Sequence, residues 1–213
     1  NITKCARKDA IQVLQKDGIT SKLHPTVSTA LIVDEKTRNI KNSEAYNLGL
    51  VELQDASSQA SVLQLSTGQI GPILDYCSGG GGKALALNAY LKKPVFAYDT
   101  NFFRMKDLPR RATRSGADIR IIKSNDLKNC YYGLVFCDVP CSGSGTWRRD
   151  PEGKWSITLQ NFQKLLSLQK NILTNAAQLV KANGRLVYAT CSVINDENKI
   201  QIQKFLANSN EWV

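Results

Sequence analysis

After Gly71-Pro72 the chain alternates short apolar, β-branched runs with longer amphipathic ones, and no other feature constrains its fold as strongly. The runs at 73–75, 94–98, 118–122, 133–137 and 185–189 are predicted strands. Segments 83–91, 101–115, 158–181 and 195–207 are predicted helices, the third closed by Asn183-Gly184 as a C-cap. A strand that is apolar along its whole length must be covered on both faces, and a strand–helix alternation does that. The expected class is therefore α/β: a Rossmann-like, doubly wound, mostly parallel sheet. Residues 1–50 are more polar and mixed, with a helix near 9–15, Gly18 as its stop and a strand at 30–33, and they read as a small α+β subdomain. The main domain is expected over 51–213, opened by an amphipathic stretch whose Val51, Ala56, Ala60, Leu63 and Leu65 approximate one helical face.

Open α/β sheets carry their chemistry just beyond the carboxyl ends of the strands. Two cysteines fall there: Cys141, after Leu134-Val135-Phe136-Cys137, and Cys191, after Leu186-Val187-Tyr188-Ala189-Thr190. They are candidates to face one crevice. The ordinary role of an intracellular cysteine is that of a small buried hydrophobe, and Cys5, Cys130 and Cys137 are read that way. Six cysteines without a secretory signal point to thiols in a reducing compartment. No metal is expected, because Cys137 and Cys141 lack a second pair or a histidine cluster to complete a zinc site. The single His24, followed by Pro25, gives no support to a Ser-His-Asp or Cys-His hydrolase.

Between the first strand of the alternation and its helix lies Cys77-Ser78-Gly79-Gly80-Gly81-Gly82-Lys83. Glycines in succession let the backbone turn sharply and approach a ligand, with helix amides aimed at it. A phosphate-binding Walker loop is disfavoured, since Cys77 and Ala84 replace its first Gly and its Ser or Thr. A dinucleotide fingerprint is formally met by Gly79, Gly81 and Ala84, with Asp99 as the ribose-binding acid, and it would make the chain an NAD-dependent redox enzyme. The same loop and strand-end acid also serve S-adenosylmethionine. Asp126, in Ser124-Asn125-Asp126, reads from its neighbours as a turn or capping acid.

The charge balance is +10 and the pI about 9.4, which suits a polyanionic partner. Arg104, Lys106, Arg110, Arg111 and Arg114 crowd one segment, while Arg148, Arg149 and Lys154 flank Trp147 and Trp155 just after Cys141. Basic residues interleaved with aromatics suit phosphate contact plus base stacking. No apolar stretch is long enough to cross a membrane.

One reaction uses two thiols, a methyl donor and a nucleic acid together. Carbon 5 of cytosine is a poor nucleophile until a thiolate adds to carbon 6; the resulting enamine attacks an electrophilic methyl group, and proton loss with elimination of the thiol releases product. One cysteine adds, and a second can act as base or assist elimination. Asp138 is placed to hydrogen-bond the amidine edge of the ring, and Gly143-Ser144-Gly145 lets backbone pass close to an unstacked base.

At these residues the chain resembles the Sun/Fmu-type (NOL/NOP/Sun) RNA cytosine-carbon-5 methyltransferases. The resemblance rests on Gln54-Asp55-Ala56-Ser57-Ser58-Gln59, Asp75-Tyr76-Cys77 with Gly81-Gly82-Lys83, the stretch Asp138 to Pro151 with Trp155, and Ala189-Thr190-Cys191-Ser192-Val193 followed by Glu197-Asn198. It implies that Cys191 is the nucleophile and Cys141 the residue that helps release product. It also implies that 77–83, Asp99, Asp126 and Asp138 contact S-adenosylmethionine, reversing the capping role read for Asp126. The implied partner is RNA, ribosomal RNA first and tRNA second, with a monomeric, cytoplasmic enzyme. Gly80 stands where such proteins usually carry Pro, and Ala84 where they carry Thr or Ser, so a more flexible loop lacking one hydroxyl is expected. A catalytically impaired RNA-binding or assembly factor is the alternative. The family's C-terminal hairpin and the beginning of its RNA-binding subdomain are expected to lie outside 1–213.

Overall fold

A computed structural model describes residues 1–34, 39–68, 71–127, 131–209 and 211–212. In chain order the elements are α1 (Arg7–Lys16), β1 (Ser21–Leu23), β2 (Leu31–Val33), α2 (Glu44–Asn47), α3 (Ala56–Leu63), β3 (Ile73–Asp75), α4 (Gly82–Leu91), β4 (Val95–Ala97) and α5 (Leu108–Ser115). They continue with β5 (Ile119–Ile121), α6 (Ser124–Leu127), β6 (Tyr132–Asp138), α7 (Pro151–Ser156), α8 (Leu159–Ala177), β7 (Val180–Ala189) and α9 (Lys199–Ala207). The strand order β5-β4-β3-β6-β7 and the parallel pairings β4/β5, β3/β6 and β6/β7 give the expected mostly parallel α/β sheet. The chain divides into two compact units, 1–69 with 78–122 and 70–77 with 123–213.

In the first unit β1 and β2 form an antiparallel pair with Lys22 opposite Ile32. Ala10 and Leu14, one helical turn apart, bury one face of α1; Leu14 joins Ile19 and Ala45 in a small core lined by Val13, Leu31, Val33, Ile40, Leu50 and Val51. Asp55 caps α3 by accepting the Ser57 N–H at 2.8 Å, so the expected helix over 51–66 begins only at Ala56. The helix expected over 101–115 is also interrupted. Phe102–Met105 form a 3-10 turn, and α5 starts at Leu108 with Pro109 in its first turn, where a missing N–H costs nothing. Gly116, at φ 70°, ends it. Leu108 and Ala112 turn inward.

In the second unit β6 is buried from Tyr132 to Cys137, as its unbroken apolar run requires. Thr158 caps α8 through the Asn161 N–H at 3.2 Å, and Gln169, Ile172, Leu173 and Ala176 form its buried face. The predicted end of this helix needs correction. It stops at Ala177, and Asn183-Gly184 lies inside β7, where Val180 pairs with Tyr132 but Arg185 already pairs with Leu134. Asn183 takes φ 59° within this bulge. Asn-Gly tolerates the left-handed region in a bulge as readily as at a helix end, so its local preference could not separate the two.

Candidate active site

Asp138 and Ala189, at the ends of β6 and β7, are register partners, so Cys141 and Cys191 leave the sheet side by side. Their Sγ atoms are 3.1 Å apart. Gly145 N–H donates to the Cys191 carbonyl at 2.9 Å, and a Cβ at Gly145 would stand 2.6 Å from that oxygen. The loop carrying Cys141 therefore reaches the backbone of Cys191 only because residue 145 has no side chain. The hydroxyls complete the connection: Val193 N–H donates to Ser144 Oγ at 2.9 Å, and the Ser144 and Ser192 hydroxyls are 2.9 Å apart. On the far side Asn198 accepts from Thr190 Oγ1 at 2.7 Å and donates to the carbonyls of Ser192 and Ile194, each at 2.9 Å. Both thiol loops are thus held from several directions.

The two thiols are not equivalent. Cys191 is exposed and Cys141 half-buried. The hydrogen bond with Cys191, followed by burial, pushes the Cys141 thiol far above the usual cysteine range, so Cys141 keeps its proton at neutral pH. Cys137 is fully buried, and burial pushes it up strongly, which matches its reading as a packing residue. Cys5 is half-buried, and Cys130 lies outside the described residues.

Glu197 was legible only as part of the family motif, with no role assigned. Its side chain is fully buried. It accepts the Ser142 N–H at 2.7 Å, the Ser142 hydroxyl and the Gln169 side-chain amide at 2.9 Å. Burial pushes its carboxyl up, but hydrogen bonds from the Ser142 and Ser192 hydroxyls, the Ser142 N–H and Gln169 outweigh that and hold it below the usual carboxylate range. The magnitudes agree, since desolvating a carboxylate costs several kcal/mol and a hydrogen bond to a charged group returns about 1.5–3 kcal/mol.

The glycine loop is built differently. Gly79 N–H donates to Asp99 Oδ2 at 2.9 Å, Asn101 N–H to Oδ1 at 2.9 Å, and Arg104 Nη1 stands 3.2 Å from Oδ2. Gly81 adopts φ +80°, and a Cβ there would stand 2.1 Å from Leu108 Cδ1. The Gly80 carbonyl accepts from Arg111 Nη1. The Gly82 carbonyl accepts from Gln54 Nε2 at 3.2 Å. Lys83 Nζ donates to Ser58 Oγ at 3.2 Å. Ala84 is fully buried. Ser78 Oγ is buried without a hydrogen-bond partner among the described residues, and the neighbouring Gly79 N–H binds the buried Asp99 carboxylate at the next strand end. An unused hydroxyl, a buried acid and a loop stripped of Cβ atoms fit the ribose and backbone-like portions of a nucleoside ligand.

The other predicted residues take these places. Cys77 is half-buried at the start of the loop, and Asp138 is the half-buried last residue of β6. Asp126, in α6, is exposed and accepts the Lys123 N–H at 3.3 Å, the capping contact read from its neighbours. Arg148, Arg149 and Lys154 are exposed; Trp155 is 81% exposed on α7, with Lys154 Nζ 5.3 Å from its ring centroid. Among the described residues no cluster of His, Cys, Asp and Glu could hold a metal ion, and no helix is long and apolar enough to cross a membrane.

The chain is 30% identical to ribosomal RNA small subunit methyltransferase B of Cronobacter sakazakii over 96% of its own length and 49% of the relative's. Against the probable ribosomal RNA small subunit methyltransferase B of a Synechocystis species it is also 30% identical, over 100% of this chain and 50% of that one. It spans about half the length of these relatives. The solved structure of a methyltransferase homologue from Pyrococcus horikoshii matches 96% of this chain and 67% of its own with a TM-score of 0.77 and 25% identity. The sheet with its flanking helices is that of the methyltransferases. The family model for 16S rRNA methyltransferase RsmB/F matches residues 60–213, well over half of the sequence, and the chain belongs to that family.

Proposed function

We propose that the protein methylates carbon 5 of a cytosine in RNA, ribosomal RNA first, through a covalent adduct on Cys191. The observation that carries this reading is the thiol pair: two sulfurs 3.1 Å apart at neighbouring strand ends, one exposed and one half-buried. Family membership supports the RNA substrate, as do the relatives' names. The tRNA alternative differs only in the RNA that presents the base.

Cys191, as thiolate, adds to carbon 6 of an unstacked cytosine; once carbon 5 is methylated its proton is lost to water as the carbon–sulfur bond breaks, and Cys141 stabilises the sulfur's charge before attack and again at this departure. Asp138 orients the ring through its amidine edge. Arg148, Arg149 and Lys154 neutralise phosphates, and Trp155 stacks an exposed base. S-adenosylmethionine, when bound, supplies the electrophilic methyl group. Asp99 would take its ribose hydroxyls, and Ser78 with the amides of 79–82 would line its passage. The family resemblance extends that proposal to Cys77, Lys83, Asp126 and Asp138. A monomeric, cytoplasmic protein accords with this role.

Methyl transfer from labelled S-adenosylmethionine to RNA tests the reading. Cys191→Ala should abolish it, whereas Cys141→Ala should accumulate a denaturation-resistant protein–RNA adduct. An active Cys191→Ala protein, with no adduct from Cys141→Ala, would overturn the assignment. Failure of a folded full-length protein to bind S-adenosylmethionine would favour the non-catalytic RNA-binding factor.

A further inference from the structure

The mechanism above makes no use of Glu197, although it is the most completely buried charged group beside the thiols. Its Oε1 takes the Ser142 N–H at 2.7 Å and the Gln169 Nε2–H at 2.9 Å, and its Oε2 takes the Ser142 hydroxyl. Gln169, itself fully buried on α8, also donates to the Pro140 carbonyl at 2.9 Å, and its Oε1 lies 3.4 Å from Gln201 Nε2. The residues on either side of Cys141 are therefore gripped by one carboxylate and its amide partner. The Ser142 hydroxyl lies 3.2 Å from Ser192 Oγ, next to Cys191, so the same group reaches the second thiol loop. Behind the carboxylate, Tyr188 Oη donates to the Glu197 carbonyl at 2.8 Å and anchors the turn on β7.

A buried carboxylate is expensive, and a neutral side chain would fill the space without that cost. A carboxylate accepts at both oxygens and donates at neither, which is what converging N–H and O–H donors require. Resting on the methyltransferase reading, we propose that Glu197 is a positioning residue for product release: with Gln169 it fixes Pro140-Cys141-Ser142 so that the Cys141 sulfur stays against the Cys191 sulfur. A group that merely anchored α9 would have no reason to hold one flank of Cys141, at Ser142, while its amide partner Gln169 holds the other, at Pro140.

The test uses the full-length protein. Glu197→Gln preserves the shape but replaces one of the two acceptor oxygens by an amide N–H₂, so the Ser142 N–H, the Ser142 hydroxyl and the Gln169 amide can no longer all donate to it. The expected result is a fall in kcat of about 100-fold, the scale of a 1 Å misplacement, with S-adenosylmethionine and RNA affinities unchanged and the adduct accumulating as in Cys141→Ala. Ser142→Ala removes only the hydroxyl arm; a fall of about fivefold, as expected for one hydrogen bond, should come with a smaller adduct yield and an unchanged melting temperature. Loss of activity in Glu197→Gln without adduct, while Cys141→Ala does accumulate it, would overturn the proposal, as would wild-type rates in both Glu197→Gln and Ser142→Ala. Should Glu197→Gln fail to fold, Ser142→Ala decides alone: adduct supports the role, and wild-type turnover without adduct overturns it. If Cys141→Ala itself accumulates no adduct, the reading of the thiol pair is what fails, and this proposal falls with it.

Discussion

Around Cys141 and Cys191 the loops are tied by side chains, with Ser142, Ser144, Ser192, Asn198 and Glu197 each satisfying a specific donor or acceptor. The segment 79–82, by contrast, owes its form to what its residues lack: Gly81 turns where a Cβ would strike Leu108, and the loop is held through backbone atoms by Asp99, Arg111 and Gln54. The difference suits the work proposed for each region. A covalent centre must hold two sulfurs within a fraction of an ångström, and interlocking hydrogen bonds deliver that. A ligand-binding loop needs close backbone approach, which only missing side chains allow. Glycine serves both regions, but at Gly145 its role is to let one loop touch another.

Substitutions at the two glycines break this comparison most directly. Gly145→Ala pushes a Cβ to within 2.6 Å of the Cys191 carbonyl and should lower methyl transfer by about 100-fold through thiol misplacement, leaving S-adenosylmethionine binding measured by calorimetry intact. A wild-type rate would mean that the sulfur spacing does not depend on this approach. Gly81→Ala combines φ +80° with a Cβ placed 2.1 Å from Leu108 Cδ1. Overpacking of that kind costs about 1–3 kcal/mol, so thermal unfolding should shift down and S-adenosylmethionine binding weaken, while iodoacetamide still alkylates Cys191 at its normal rate. Equal damage to both regions from either change would erase the distinction. The smallest effect is expected at Trp155, 81% exposed with Lys154 Nζ 5.3 Å from its ring centroid. Trp155→Ala should weaken RNA binding by about 1 kcal/mol, the lower end for a stacked base, without moving the melting temperature. Unchanged RNA affinity would remove Trp155 from the interface.

Most of the sheet was legible because 73–75, 94–98, 118–122 and 133–137 are short, apolar and β-branched, whatever they pack against. Strand β1, Ser21-Lys22-Leu23, carries no such pattern and exists through its pairing with β2. Asn183-Gly184 announced a left-handed residue, yet strand pairing rather than local preference decided that it belongs to a bulge. At the site, the two cysteines, the glycine run and Asp99 could be found from strand-end position. Glu197 and Gln169 could not, because a carboxylate or an amide on a helical segment ordinarily faces water, and nothing local says that Ser142 and Pro140 will meet them in the interior.

By itself, then, the sequence determined the strand–helix alternation and the placement of two thiols at strand ends, since periodicity and position are properties of neighbouring residues. Family resemblance supplied the order of the thiols. Tertiary structure decided the rest: that sulfurs fifty residues apart stand 3.1 Å from each other, that one is exposed and the other half-buried, and that a buried carboxylate grips Ser142 beside Cys141. Those distances depend on β6/β7 register, on the Cβ missing from Gly145 and on desolvation, all of which arise only when distant segments pack together.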